Sequence, residues 1–269
     1  MKKKIIAFTI MLAALTISPI LLAHEFWLMP SRFKVKVNEN FNLTFYVGED
    51  FMGEIWKNRI GRTLKLTHYS GKTMKDLTPR AIQNDSSDLV LSFGKTGTHL
   101  LTMESKNSFI ALDAEKFNAY LKDDGINNIY ELRKTKGELN KPSKERYRRC
   151  VKTLIQVGDK TDKTFVKNTG MPLEIIPLQN PYTLKMGDKM TVKVLFEGKP
   201  LRNSMVVTWN KTATVKTRKQ DFRTDAEGKM TFPLDQMGQW MVSTVHMIEV
   251  ENDAEANYQS YWGNLTFEF

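Results

Sequence analysis

The feature that most constrains the fold is a period-two alternation of apolar and polar residues, which recurs along most of the chain. In the segment NFNLTFYVG, for example, Phe41, Leu43 and Phe45 share one face and polar residues separate them. Such alternation is typical of β-strands with one buried face. The chain is therefore expected to be mainly β, with its cores formed between sheets.

The alternation is most regular in residues 172–269. Seven candidate strands occur there between turn sequences such as MGDK, EGKP and DAEG: PLEIIPL, MTVKVLF, SMVVTW, TATVKT, MTFPL, WMVSTVHMIEV and SYWGNLTFEF. This spacing predicts a Greek-key β-sandwich of the transthyretin or immunoglobulin type. The Cys–Trp–Cys arrangement of a true immunoglobulin domain is missing, because Cys150 is the only cysteine. Cys150 lies in a strand pattern and is interpreted as a small buried apolar residue.

The preceding residues, 24–160, predict a first β-sandwich-like domain. The segment DLVLSFGKTGTHLLTMES predicts two strands joined around GKTG. A helical insertion is expected near residues 113–136, where Phe117, Tyr120 and Leu121 recur with helical spacing and Asp113 is a candidate N-cap. Residues 158–172 are polar and without period, and they predict a linker between the two domains or a long connection.

Residues 1–23 have the features of a secretory signal peptide. Three lysines are followed by an uncharged apolar run that ends in the small residue Ala23. The alternative is a membrane anchor, but no basic stop signal follows the run. We expect cleavage after Ala23, export to the periplasm and no integral membrane protein after cleavage. The positive charge, +10 for the whole chain, is dispersed and does not predict nucleic-acid binding.

Motifs for catalysis are mostly missing. The chain has no GxSxG, HExxH, P-loop or dinucleotide glycine fingerprint. The acid pairs Asp123–Asp124 and Glu249/Glu251 are interpreted as solvated surface. The chain is therefore not expected to be an enzyme.

The four histidines carry the remaining chemistry. His68 alternates with leucines in a predicted strand, His99 begins the predicted strand THLLTME, and both are interpreted as core or rim residues. His246 lies late in a strand, near a polar segment, where an ion could reach it. His24 would be the first residue after cleavage, so its α-amine and imidazole could chelate one metal ion.

A second imidazole from His246 would complete three nitrogens in a T-shape, the arrangement called a histidine brace. Cu(II) favours nitrogen donors in a plane, and Ni(II) can also bind in this arrangement. Glu25 and Glu249 are the candidate carboxylate ligands, since they lie next to these histidines in the sequence.

Several segments together resemble the DUF4198 family of exported bacterial proteins. They are AHEFWLMP, KTLIQVG, LEIIPLQNPYTLKMGDKMTVKVLFEGKPL, TDAEGKMTFPLDQMGQWMVSTVHM and SYWGNLTFEF. The resemblance implies a β-rich periplasmic protein associated with nickel or cobalt uptake, a mature amino-terminal histidine at His24 and a strand histidine at His246.

Three functions follow as hypotheses. The first is a periplasmic protein that binds nickel, cobalt or copper through His24, His246, Glu25 and Glu249, and that supports metal uptake or homeostasis together with a membrane metal transporter. The second is a metal-free β-sandwich adaptor or glycan-binding module of the cell envelope. The third is a copper oxygenase that uses the histidine brace.

Overall fold

The computed structural model describes residues 25–57, 59–83, 88–212 and 217–269. The predicted signal peptide, residues 1–23, and His24 lie outside these ranges, as do residues 213–216 of the predicted strand TATVKT. The protein is mainly β, with 51% of the described residues in strands and 14% in helices. This confirms the fold class that the period-two alternation predicts.

The strands form three sheets. The first sheet contains β1 (Glu25–Pro30), β3 (Phe41–Glu49), β4 (Met52–Ile55) and β7 (Asp88–Leu91). The central sheet contains β2 (Lys34–Val35), β5 (Thr63–Ser70), β6 (Thr73–Asp76), β8 (Gly97–Ser105), β9 (Ser108–Leu112), β10 (Ser143–Val157), β14 (Met205–Lys211), β15 (Arg218–Arg223), β17 (Gln239–Glu249) and β18 (Tyr258–Glu268). The third sheet contains β11 (Leu173–Pro177), β12 (Lys189–Phe196), β13 (Lys199–Pro200) and β16 (Lys229–Pro233).

The central sheet lies between the other two sheets, and its faces belong to different cores. On β10, Val151 and Ile155 pack in the core that contains Phe26 of β1. The alternate residues Cys150 and Leu154 pack in the core of the third sheet. Successive side chains of a strand point to opposite faces, so every residue of the sheet can be assigned to one side. We call the side covered by β1 the first face and the side covered by β12 the second face.

The central sheet joins the two predicted domains. Strand β10 belongs to the amino-terminal unit and pairs in parallel with β18, the last strand of the chain, from Glu145↔Tyr258 to Thr153↔Thr266. The two predicted domains therefore share the central sheet. A division of the chain at residues 160 and 172 assigns β10 and β18 to different domains, although they pair in this sheet.

The two strands that the sequence predicts around GKTG are present as β7 and β8, but they do not pair with each other. Strand β7 pairs with β3 in the first sheet, whereas β8 pairs with β5 and β10 in the central sheet. The loop between them crosses from one layer to the other. Both strands contribute buried residues to the core between these layers: Leu89 and Leu91 from β7, and Leu101 from β8. The two strands can therefore bury their apolar faces without pairing with each other.

Helices occupy four short segments: α1 (Arg59–Arg62), α2 (Thr78–Ile82), α3 (Ala114–Asp123) and α4 (Asn127–Thr135). Two 3₁₀ turns span Thr164–Val166 and Pro181–Thr183. Helices α3 and α4 lie where the helical spacing predicts them, and the Asp113 carboxylate accepts a hydrogen bond from the Lys116 amide at 2.9 Å as an N-cap. None of the helices in the described ranges is long and apolar enough to cross a membrane.

Candidate functional site

Glu25 is the first described residue. It follows His24, which would become the amino terminus after the predicted cleavage. Glu25 is the first residue of β1 and pairs with Gly48 of β3. It shares a strand face with Trp27, which packs against Met241 and Trp209 on the first face of the central sheet. The Glu25 side chain is therefore directed to the first face. His24 itself lies outside the described residues.

The Glu25 carboxyl is partly buried among other acids. Burial raises its pKa to about 7, and the charges of Glu49 and Asp50 add to the increase. A backbone hydrogen bond and the charge of Lys219 act in the opposite direction. Lys219 belongs to β15, and its Nζ lies 5.8 Å from the centre of the Trp209 ring.

Asp124 is the second acid at this position. It is the C-cap of α3, and burial raises its pKa to about 8, with further increases from the charges of Glu25 and Asp123. The turn that carries it is fixed by Gly125, which has φ of +65°. A Cβ at Gly125 would lie 2.7 Å from the Met205 side chain, so only glycine lets this turn pack so closely on β14.

Glu145 extends the group of acids into the interior. Its side chain is 1% exposed, and its Oε1 accepts hydrogen bonds from Tyr120 at 3.1 Å and from Ser260. Its Oε2 has no hydrogen-bond partner among the described residues. Burial raises its pKa to about 7, and its charge contributes to the high pKa of Asp124. We call Glu25, Asp124 and Glu145 the acidic cluster.

His246 lies on the other side of the central sheet. On β17, Met241 packs on the first face with Trp27, and Val242 packs on the second face. His246 is an even number of residues from Val242, and its ring centre lies 4.4 Å from that of Phe196 of β12. Burial lowers its pKa to about 4, and no charged group contributes. His246 and Glu25 are therefore separated by the sheet.

Glu249 forms an ion pair with a residue at the end of α4. Its Oε1 lies 2.6 Å from Nζ of Lys136, the C-cap of α4. The charge of Glu25 therefore acts on Asp124, whereas Glu249 pairs with Lys136 and His246 lies on the other face of the sheet. Within the described ranges, no group of three or more His, Cys, Asp or Glu side chains could hold a metal ion.

The sequence does not predict Asp124 as a site residue, because the pair Asp123–Asp124 is interpreted as solvated surface. Asp123 is exposed, as expected, but Asp124 is partly buried. Its position continues the buried stripe of α3, since it follows Phe117 by seven residues and Leu121 by three. Residues with this spacing share a helix face, and the pattern could have distinguished the two aspartates.

A second missed feature is a pair of neighbouring histidines. His68 Nε2 and His99 Nδ1 lie 2.8 Å apart, and both rings stack on Phe93. His99 Nε2 lies 2.8 Å from the carbonyl oxygen of Lys95. The sequence correctly assigns both to strands, but only the register of β5 and β8 brings them together.

This pair makes stability depend on pH. Burial, with the charges of His99 and Lys75, lowers the pKa of His68 to about 3 in the folded protein. The unfolded chain binds the proton below about pH 6.5, so folding is opposed as the pH falls below that value. We expect His68 to contribute about 2 kcal/mol less stability at pH 5 than at pH 7.

The measurement is urea unfolding of the wild type and of His68→Gln at both pH values. His246 and the acidic cluster titrate in the same range, so the comparison rests on the difference between the two proteins. The substitution should reduce the loss of stability on acidification by about 2 kcal/mol. An equal loss in both proteins would contradict a neutral, buried His68.

Comparisons with known proteins identify a family but no activity. A family model described as "Domain of unknown function (DUF4198)" matches residues 21–248. No curated protein matches the chain.

Three solved structures have limited similarity to this chain. The D0–D1 domain of intimin is 13% identical, with 91% of this chain and 98% of that chain covered and a TM-score of 0.20. Three N-terminal domains of the outer capsid protein Hoc of bacteriophage RB49 are 8% identical, with 91% and 70% covered and a TM-score of 0.19. A marsupial T cell receptor is 8% identical, with 90% and 73% covered and a TM-score of 0.20.

Proposed function

Because the chain belongs to the DUF4198 family, whose domain has no known function, we propose a function from the site itself. The protein is an exported periplasmic protein that binds a divalent transition metal at its mature amino terminus. His24 supplies nitrogen ligands, and Glu25 and Asp124 supply carboxylate ligands. Nickel and cobalt are the ions that the family resemblance implies, and copper also suits the nitrogen donors.

The observation that carries the proposal is the electrostatic contact between Asp124 and Glu25, the residue that follows His24 in the sequence. The charge of Glu25 raises the pKa of the partly buried Asp124, and the charge of Lys219 lowers the pKa of both carboxyls. Carboxylates in such a place keep a proton or bind a cation, because two uncompensated charges are costly. A divalent ion could replace the proton and balance both groups.

The donor set fits this ion only with His24. The described residues do not themselves provide three suitable ligands, so two carboxylates alone would bind weakly. Cleavage after Ala23 would add an amine and an imidazole from a single residue. The resulting mixture of nitrogen and oxygen donors is suitable for nickel, cobalt or copper. A membrane metal transporter is the proposed recipient of the ion.

His246 is not part of this proposed site. The T-shaped brace derived from the sequence requires His246, and β17 directs that ring to the second face, away from Glu25. A copper oxygenase built on these two histidines is therefore not proposed. The position of His246 does favour the second candidate, a metal-free adaptor or glycan-binding module of the envelope.

Calorimetric titration with Ni(II), Co(II) and Cu(II) tests the proposal. The protein should begin at His24, and the variants are His24→Ala, Asp124→Asn and the matched neighbour Asp123→Asn. We expect one site, weakened at least 10-fold by Asp124→Asn and more by His24→Ala, and nearly unchanged by Asp123→Asn. Affinity should rise from pH 6 to pH 8, as the carboxyls with pKa values of about 7 and 8 lose their protons.

The same titration separates the alternatives. Equal affinity in all variants would mean that the metal binds elsewhere. No binding of any ion by the chain that begins at His24 would favour the metal-free module.

A further inference from the structure

A cleft of about 440 Å³ lies between the first sheet and strands β9 and β10, away from Asp124 and His246. Its volume is in the usual range for small-molecule sites. The charged residues that line it are Lys57, Arg62, Arg149 and Glu54. Three cations face one acid, so the cleft is positively charged.

Arg149 forms the inner end of the cleft. It is 6% exposed, and its guanidinium carbon lies 4.9 Å from the ring centre of Phe26, 5.7 Å from that of Trp56 and 5.2 Å from that of Tyr147. In the described part of the chain it has no carboxylate partner. Burial lowers its pKa, Tyr147 acts in the opposite direction, and the like charge of Arg62 adds to the effect of burial.

The aromatic rings stabilise the Arg149 charge without using its hydrogen-bonding capacity. Cation–π attraction acts through the ring faces, whereas guanidinium N–H groups pair best with oxygen acceptors. Tyr147 is a side-chain hydrogen-bond partner of this guanidinium. A hydroxyl oxygen accepts fewer hydrogen bonds than a guanidinium can donate, so N–H groups of Arg149 remain for an occupant of the cleft.

The mouth of the cleft adds a second cation and apolar surface. Arg62 is exposed and donates a hydrogen bond from Nη1 to Ser108 Oγ, which orients its side chain along the wall. Phe109 is 55% exposed and Ile55 is 36% exposed, and both line the cleft. An occupant would meet guanidinium groups within and apolar side chains at the opening.

We propose that this cleft binds a small organic anion, with its carboxylate or phosphate group between Arg149 and Arg62 and its apolar body between Trp56 and Phe109. The planar fork of a guanidinium matches the oxygens of both anions. The apolar body follows from the aromatic and aliphatic lining. This site does not depend on the amino-terminal metal site, and no metal takes part in it.

The test is calorimetric titration of metal-free protein with benzoate, phenyl phosphate and the uncharged benzamide. The variants are Arg149→Met, Arg62→Gln and a control, Lys72→Gln, which removes an exposed charge outside the cleft. We expect one site for benzoate or phenyl phosphate and none for benzamide. Arg62→Gln should weaken binding about 10-fold, and Arg149→Met should abolish it.

Arg62 is exposed, so its variant tests the site even if Arg149→Met does not fold. Absence of binding by both anions would overturn the proposal. Equal losses in Arg62→Gln and Lys72→Gln would also overturn it, because they would show general charge attraction. Binding of benzamide as tight as that of benzoate would exclude recognition of the anion.

Discussion

Lys152→Met is expected to lower the free energy of unfolding by about 3–5 kcal/mol, because it leaves a buried carboxylate without its cation. Lys152 of β10 and Glu174 of β11 are 1% and 2% exposed, and Nζ lies 2.5 Å from Oε1. The pair joins the second face of the central sheet to the third sheet. Urea unfolding measures the change.

The Glu174 carboxylate has other hydrogen-bond partners, and these limit the expected loss of stability. It accepts hydrogen bonds from the Thr169 amide at 2.9 Å and from the Gly170 amide at 3.0 Å. Burial alone would raise its pKa, but Lys152 and the hydrogen bonds from Thr169 hold it below its ordinary value. With Lys152 removed, the amides remain, but the charge is no longer balanced.

A double variant distinguishes charge from packing. Lys152→Met with Glu174→Gln should recover part of the loss, because a neutral amide oxygen can still accept from Thr169. Lys189→Met, at an exposed position on β12, is the control and should change stability by about 0.5 kcal/mol or less. A loss under about 1 kcal/mol in Lys152→Met would show that the buried pair is not needed.

Arg133→Met is expected to destabilise the helical insertion by about 3 kcal/mol. Arg133 is 1% exposed and donates to Asn118 Oδ1 at 3.2 Å, to Ser143 Oγ, and to the carbonyl oxygens of Glu138 and Lys141 at 2.8 and 2.7 Å. Its guanidinium carbon lies 4.9 Å from the centre of the Phe117 ring. Methionine would fill part of the volume but would leave these buried acceptors unsatisfied.

The effect should be local and should extend to the acidic cluster. The turn between α3 and α4 carries Asp124, so looser packing of these helices should also weaken metal binding. Amide hydrogen exchange in residues 114–135 measures the local stability. Lys134→Met, an exposed neighbour, should leave exchange unchanged. Unaltered protection in Arg133→Met would contradict the role of Arg133 in holding the insertion.

Local patterns predict the elements of this fold well. Alternation identifies most strands, because a half-buried strand needs an apolar residue at every second position. Helical spacing and the Asp113 carboxylate locate α3. The burial of Cys150, which is 1% exposed, also follows from its strand pattern.

The arrangement of the elements in space cannot be predicted from local sequence patterns. The parallel pair of β10 and β18 joins residues more than a hundred positions apart, and the separation of β7 from β8 depends on which layer each strand covers. The site shows the same limit. Alternation correctly assigns Trp240, Val242 and His246 to one face of β17, but it cannot reveal that β1 covers the other face.

The most direct test of the account is to locate a bound metal ion. Anomalous diffraction from crystals of the Ni(II)-loaded protein that begins at His24 would show its position. We expect one peak about 2.0–2.2 Å from His24 nitrogens and from a carboxylate oxygen of Glu25 or Asp124, on the first face of the central sheet. A peak at His246, or at the pair His68 and His99, would contradict the proposed amino-terminal site.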